Sequence, residues 1–280
     1  MILSELYIYP IKSLSGIAVP EVIVEPKGFR HDRRFMLVSP SGQFITQRTH
    51  HQMALLDVAI QDETLRIWHR HRPDNALEVP LTVATSDETI LVDIWDSKNV
   101  PALTVSVEAD RWFTKELNTP CRLVFMPEST HRAVDPTYAR DPDLDAVSFA
   151  DGYPYLLIGQ ASLDALNQRL NQSLSMLRFR PNLVVQSSSP HEEDTWAEFR
   201  VGDLSFYGVK PCGRCVLTTI DPETGEPGKE PLRTLATYRK WKTKILFGQN
   251  ILAQPVDRIP LGTLHVGQSI EVIRYQESWL

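Results

Sequence analysis

Residues 35–47 read Phe35-Met36-Leu37-Val38, Ser39-Pro40-Ser41-Gly42, then Gln43-Phe44-Ile45-Thr46-Gln47. An apolar run, a proline- and glycine-bearing turn signal and a second run with β-branched residues spell strand, turn, strand. The same pattern repeats on either side. Ile2–Ile8, Val19–Val24, Ala54–Ile60, Leu65–Trp68 and Thr89–Ile94 are further short candidate strands separated by turns. Regular short spacing of this kind favours a barrel or sandwich over parallel βαβ units. Ala109–Leu117 reads as a short helix that closes this half of the chain.

The second half is sparser. Pro127 to Gly152 is polar, rich in Pro, Asp and Arg, and has no periodicity; a segment this long is a linker or a functional loop. Beyond it come a strand at Tyr155–Ile158 and a helix over Ser162–Leu170, with Ser162 as N-cap and Leu163, Leu166 and Leu170 on one face. Strands are expected at Leu183–Gln186, Leu204–Tyr207, Val216–Ile220 and Ser269–Ile273. Pro231 is placed to open a last helix reaching Trp241. The fold class is therefore mainly β with a few helices.

Composition narrows the function. The chain has 280 residues, 42% hydrophobic and 23% charged, which suits one large or two modest globular domains and excludes wholesale disorder. Its formal charge of −6 disfavours a general nucleic-acid binder. No apolar run is long enough to span a bilayer, and Met1-Ile2-Leu3-Ser4-Glu5-Leu6 is not a signal peptide. Three cysteines, Cys121, Cys212 and Cys215, argue for a reducing compartment and against a disulfide scaffold. A cytoplasmic protein that engages neither nucleic acid nor membrane is the expectation.

Cys212-Gly213-Arg214-Cys215 carries the sharpest chemical signal. A structural zinc site needs four ligands, and there is no second cysteine pair. A thioredoxin-like motif should open a helix, whereas Val216-Leu217-Thr218-Thr219-Ile220 is strand-like. A single thiolate ligand to a soft metal, beside the Arg214 charge, is the third reading. Two buried cysteines acting as small hydrophobes are the bland one. Around these residues, donors stand in turns: Tyr9-Pro10-Ile11-Lys12-Ser13, Arg33-Arg34, and Arg178-Phe179-Arg180-Pro181-Asn182. Such donors at strand ends suit a phosphate or a pterin edge, although each alone is more often a surface charge. His50-His51 and His69-Arg70-His71 read as solvated loops. Arg239, Lys240, Lys242 and Lys244 crowd one segment, usually just a solvated helix face.

Taken in order, these motifs, with Asp32-Arg33-Arg34-Phe35, Asp221-Pro222 and Leu246-Phe247-Gly248-Gln249, resemble the MOSC (molybdenum cofactor sulfurase C-terminal) family and its N-terminal β-barrel partner domain. The likeness is to members of the mitochondrial amidoxime-reducing-component and bacterial YcbX types. The resemblance implies a β-barrel-like N-terminal domain over residues 1–118 and a MOSC β-barrel domain over 119–280, with 127–152 as the boundary loop. It also implies a molybdenum cofactor (molybdopterin), with Cys215 as the catalytic cysteine and the molybdenum ligand. Lys12, Ser13, Arg34, Arg180, Asn182 and Arg214 would bind the cofactor. The implied reaction is reduction of N-hydroxylated compounds, namely amidoximes, hydroxylamines and N-hydroxylated bases. Longer relatives add an iron–sulfur domain, whereas this sequence has too few cysteines for a Cys₄ cluster. Electrons would then come from a separate flavodoxin-, ferredoxin- or flavin-reductase-like protein. A non-catalytic cofactor carrier or a sulfur-transfer protein on the same fold is the alternative, and pyridoxal phosphate binding is a looser family-level association.

Overall fold

The computed structural model describes residues 1–84, 88–254 and 260–280. In chain order the first strands are β1 (Ile2–Ile8), β2 (Ile17–Val19), β3 (Glu21–Glu25), β4 (Gly28–Phe29) and β5 (Phe35–Val38). After them come β6 (Leu56–Gln61), β7 (Thr64–His69), β8 (Arg72–Pro80), β9 (Thr89–Ile94) and β10 (Ser97–Thr104). Helix α1 (Val107–Leu117) and β11 (Arg122–Phe125) close this part. Strands β5, β11, β10 and β9 form one sheet and β6, β7 and β8 an antiparallel meander. Between them lies a core that includes Phe35, Leu37, Ile67, Phe113 and Leu123, each 1% exposed or less. Burying each such side chain contributes roughly 1.5–3 kcal/mol before entropy is counted. Ser106 caps α1 by accepting from the Ala109 N–H, and Phe113 and Leu117 seal the core from that side.

The second part comprises β12 (Tyr155–Gly159), α2 (Gln160–Asn167), β13 (Leu183–Gln186), β14 (Trp196–Val201) and β15 (Leu204–Gly213). It continues through α3 (Leu232–Leu235), β16 (Lys240–Trp241), β17 (Lys244–Ala253), β18 (Gly262–His265) and β19 (Ile270–Tyr275). The large sheet runs β19-β14-β15-β17-β12-β13-β1-β2, with β16 added to β17. Residues from both ends of the chain build it: β1, paired antiparallel with β13, and β2 lie at one edge and β19 at the other, while β3 pairs with β18 in a separate three-stranded sheet with β4. The β12–β13 pair is parallel, so a crossover is needed, and α2 lies within it.

Several expected strands appear at or near their expected bounds: β1, β5, β9, β12 and β13. Val19–Val24 divides at Pro20, which has no N–H for the ladder. Phe44–Gln47 is not a strand: Phe44 bridges Val38, and a turn at Thr46 follows, where the Thr49 and His50 N–H groups return to the Thr46 carbonyl. Val216–Thr219 is a 3-10 turn, because the Thr218 and Thr219 hydroxyls donate back to the Cys215 and Val216 carbonyls at 2.9 and 2.7 Å. Ser162 lies inside α2 and donates to Glu193 instead of capping. The helix expected from Pro231 to Trp241 shrinks to Leu232–Leu235. Arg239 turns inward there to the buried carboxylate of Asp194 and to the Leu246 carbonyl.

Gly248 bends β17 at φ +80, and a Cβ there would sit 2.7 Å from Ile158 Cγ1 and 2.9 Å from the Leu157 carbonyl oxygen. Backbone strain and overpacking then act together. Gly248→Ala is expected to cost about 2–4 kcal/mol, seen as a lower urea midpoint with an unchanged slope. An unshifted midpoint would mean that β17 tolerates a side chain at the bend.

Candidate functional site

Where β1 ends, the chain runs through Tyr9 and Pro10 beside Arg33–Phe35: the Arg33 N–H donates to the Tyr9 carbonyl and the Lys12 N–H to the Phe35 carbonyl. Ser13 and Arg33 hold positive φ values of 72° and 49°, which turns the chain at each point. Arg180, at φ 57°, ends the 3-10 turn Met176–Phe179. Cys212 and Gly213 end β15 and Cys215 precedes the next turn. Residues 150–153 arrive from the long polar segment. Its Arg132 grips the Ser148, Ala150 and Asp151 carbonyls, so the segment is an ordered wall and not a linker.

Together these pieces line a cleft of about 130 Å³. A second cavity of about 270 Å³, bounded by Trp68, Arg70 and Arg178, shares Arg180 and Leu217 with it. Five cationic side chains face the first cleft: Lys12, Arg33, Arg48, Arg180 and Arg214. Lys12 Nζ donates to the Phe149 carbonyl at 2.8 Å and to Asp151 Oδ1 at 2.5 Å. Arg48 donates from Nη2 to Asp151 Oδ2 at 2.6 Å and from Nε to Cys215 Sγ at 3.2 Å. Arg214 donates to Cys212 Sγ at 3.0 Å and to the Phe179 carbonyl at 2.7 Å. Arg33 bridges Asp32, Asn182 Oδ1 and the Arg180 carbonyl. Arg180 rests on the Tyr9 ring and donates to the Leu14 carbonyl.

The electrostatics follow from burial. Desolvation pushes Lys12 down to about 8, despite Asp151. Desolvation, aided by the Arg33 charge, pushes Arg180 down to about 10. Burial opposes the Asp151 carboxylate, but Lys12 and Arg48 outweigh it and hold the group ionised, well below its ordinary range. At this cleft two buried cation donors, Arg180 Nη2 and Arg214 Nε, have no hydrogen-bond partner among the described residues. Unpaired buried donors on cations are costly, and an anionic ligand with several oxygens would satisfy them.

Of the residues singled out in the sequence, Lys12, Ser13, Arg180, Asn182, Arg214 and Cys215 all line this cleft. Arg34 does not line it. Its guanidinium packs over Phe125, donates to the Met126 carbonyl and pairs with Glu128 at 2.6 Å, on the far side of the turn. Arg33, at φ 49°, lines the cleft instead. Asn182 is satisfied by Tyr7, Leu156 and Arg33, so it fixes the wall. Cys121 lies in the first core beside Thr114, its thiol pushed by burial up to about 11, and is not at the cleft. Arg48 and Asp151 went unnoticed in the sequence. Each stands alone in a polar turn, where a single charge gives no signal.

Residues 1–120 match the model of the MOSC N-terminal beta barrel domain and residues 145–271 that of the MOSC domain. Among curated proteins, mitochondrial amidoxime-reducing component 1 of Mus musculus is 31% identical over 96% of this chain and 82% of its own length. Mitochondrial amidoxime reducing component 2 of Bos taurus is 32% identical over 95% and 82%. Molybdenum cofactor sulfurase of Oryza sativa is 31% identical over 96% of this chain, which spans only 35% of that larger protein. A thiol just past the end of β15, Cys215, thus lines one cleft with five cationic side chains drawn from both β-rich halves. The chain belongs to the MOSC family, in the arrangement that joins the N-terminal β-barrel domain to the MOSC domain.

The lowered pKa of Lys12 predicts that any anion affinity of the cleft depends on pH. Its folded-state value near 8 lies below the ordinary lysine value, so the cation is present below about pH 8 and is lost above it. Calorimetric titration with sulfate, whose own charge is constant here, should show affinity falling several-fold from pH 7 to 9. Lys12→Arg should stay flat over that range. An equal decline in the arginine variant would assign the pH dependence to another group.

Proposed function

We propose that this chain is a molybdenum-cofactor-dependent oxidoreductase that reduces N-hydroxylated compounds (amidoximes, hydroxylamines and N-hydroxylated bases) with electrons from a separate redox protein. The observation that carries the proposal is a pair of thiols, Cys212 and Cys215, lining the same cleft as two buried arginine donors that lack partners. That donor set fits a phosphorylated pterin carrying a thiolate-bound metal. Relatives named for amidoxime reduction cover most of the chain.

On this reading Cys215 supplies the protein sulfur to the metal. Lys12, Arg33 and Arg180 offset the phosphate charge, Ser13 offers a neutral hydroxyl donor, and Arg214 and Asn182 hold the rim near the pterin. Bound there, the cofactor supplies two-electron oxygen-atom transfer, which turns an N–OH group into N–H and water. Asp151, held ionised, keeps Lys12 and Arg48 in place and donates no proton near neutrality. Lys12 Nζ keeps its proton up to about pH 8 and so bounds the working range from above.

The first test is elemental analysis together with benzamidoxime reduction, on protein made in a host that synthesises the cofactor. Wild type should carry about one molybdenum per chain, and Cys215→Ser should abolish turnover because an alkoxide is a harder donor than a thiolate. Cys212→Ser should keep much of the activity, since the resemblance assigns the metal to Cys215 and not to Cys212. The reverse ranking would invert the ligand assignment. Molybdenum without reduction of any N–OH compound would favour a cofactor carrier or sulfur-transfer protein, the reading that the sulfurase relative supports.

A donor must also reach the site. Arg239 is buried against Asp194 and leaves the basic segment. Lys240, Lys242 and Lys244 remain exposed on the β16–β17 hairpin. Lys244 Cδ lies 3.5 Å from the Cβ position of Gly213, within the cysteine motif. In a chain of charge −6, this local positive face would steer an acidic redox protein, and salt would screen the attraction. Turnover with an acidic protein donor should fall as ionic strength rises, whereas turnover with a small neutral reductant should not. Lys240→Glu with Lys242→Glu should mimic high salt. Equal salt sensitivity for both donors would make the hairpin an ordinary solvated surface.

A further inference from the structure

Neither Arg48 nor Trp95 belongs to the cysteine motif, and both come from the first half of the chain. Yet Arg48 Nε is 3.2 Å from Cys215 Sγ, and its Nη2 is 2.6 Å from Asp151 Oδ2. The Trp95 ring lies 4.6 Å from the guanidinium carbon, and the indole N–H donates to Asp151 Oδ1 at 3.1 Å. Lys12 holds that same oxygen. The guanidinium is therefore fixed by an ion pair on one edge and an aromatic face, and it presents one N–H to the sulfur.

On its own backbone Cys215 has little freedom left. It stands in an extended conformation, φ −124° and ψ 177°, and its carbonyl accepts from both the N–H and the hydroxyl of Thr218. What remains is rotation about Cα–Cβ, which has three staggered wells. Cys212, two residues before Arg214, takes its hydrogen bond from that arginine. Each sulfur thus has its own arginine, and the two thiols are held in different surroundings.

We infer that Arg48 is the positioning residue for Cys215: clamped by Asp151 and Trp95, it selects the sulfur's rotamer and holds it toward the cleft from the other half of the chain. The inference rests on the reading of Cys215 as the ligand sulfur, and it goes further by assigning the group that orients that sulfur. Groups that orient a metal ligand typically change metal affinity 10–100-fold when removed. Lysine is no substitute, because its point charge cannot bridge a carboxylate and a sulfur as a planar fork does.

The test uses the full chain in two states. In cofactor-free protein labelled with [13C]cysteine, the three cysteines give three sets of signals. Wild type should show one Cys215 Cβ resonance, whereas Arg48→Met and Arg48→Lys should show it broadened or split, with Cys121 unmoved. In cofactor-loaded protein, both variants should lose molybdenum at least ten-fold faster on dialysis, at an unchanged thermal midpoint. Trp95→Phe, which keeps the aromatic face, should stay within about three-fold of wild type. A single, unshifted Cys215 signal in Arg48→Lys, or wild-type metal retention in that variant, overturns the inference. Should Arg48→Met fail to fold, Arg48→Lys preserves the charge beside Asp151 and decides. If wild type binds no molybdenum, the proposed function fails, and the cysteine spectra alone still judge Arg48.

Discussion

One buried carboxylate organises the region on which the cleft depends. Asp32 is fully buried; it accepts the Tyr9 N–H at 2.8 Å on one oxygen and Arg33 Nη1 at 2.6 Å on the other. Burial raises its pKa from the ordinary value, even with Arg33 beside it. Arg33 reaches on to Asn182, which in turn bonds Tyr7 of β1 and Leu156 of β12. Three strands are thus fixed to one another through side chains as well as through their ladder. A buried pair of this kind adds little net stability, but removing one partner strands a charge at a cost on the order of 3–5 kcal/mol. Its value lies in register: β1, β12 and β13 have one alignment that satisfies every donor.

From that hub the charge pattern of the cleft follows. Five cations crowd together, and burial beside like charges lowers the pKa of Lys12 and of Arg180. Asp32 and Asp151 divide the work, the first beneath Arg33 and the second between Lys12 and Arg48. The compensation is incomplete, since Arg180 and Arg214 keep buried donors with no partner. Tyr9 softens the crowding, as the guanidinium carbons of Arg33 and Arg180 both lie within 4.3 Å of its ring centroid. Residual positive charge in a water-poor cleft strengthens attraction for an anion, because the medium screens it less than water would.

The sequence was legible where local physics and tertiary packing agree. Strands buried on both faces, Phe35–Val38 and, up to its exposed terminal glutamine, Leu183–Gln186, are apolar runs whose bounds the sequence shows. Strands β8 and β10 were invisible, because Arg72-Pro73-Asp74-Asn75 and Ser97-Lys98-Asn99 read as turns. Their polar face meets solvent, and pairing with β7 and β9 settles their conformation. Val216–Ile220 failed for the opposite reason: β-branched composition suggests a strand, but threonine hydroxyls returning to the backbone make a tight turn. Six of the seven expected site residues line one cleft because they sit in motifs whose glycine, proline and charge pattern is distinctive. The seventh misses by one position, since sequence alone cannot say which of two adjacent arginines lines the cleft.

The site is assembled from positions scattered along almost the whole chain, and this has a mechanical consequence. Lys12, Arg33 and Arg48 come from the first half, and Asp151, Arg180 and Cys215 from the second. The first half's own core closes without the second, yet Lys12 and Arg48 find their carboxylate partner, Asp151, only across the join, and Arg33 reaches across it to Asn182 and the Arg180 carbonyl. Asp151 is the contact that most directly couples the halves, since Lys12, Arg48 and Trp95 all converge on its two oxygens. Because β1 is a strand of the large sheet and leads directly into Lys12, the same backbone that closes the second core sets the floor of the cleft. The cleft surface is therefore complete only when both halves are folded and docked. Binding at that surface would stabilise the docked state by the mass-action term RT ln(1 + [L]/Kd), so the charge left unpaired in the cleft links ligand occupancy to the integrity of the whole chain.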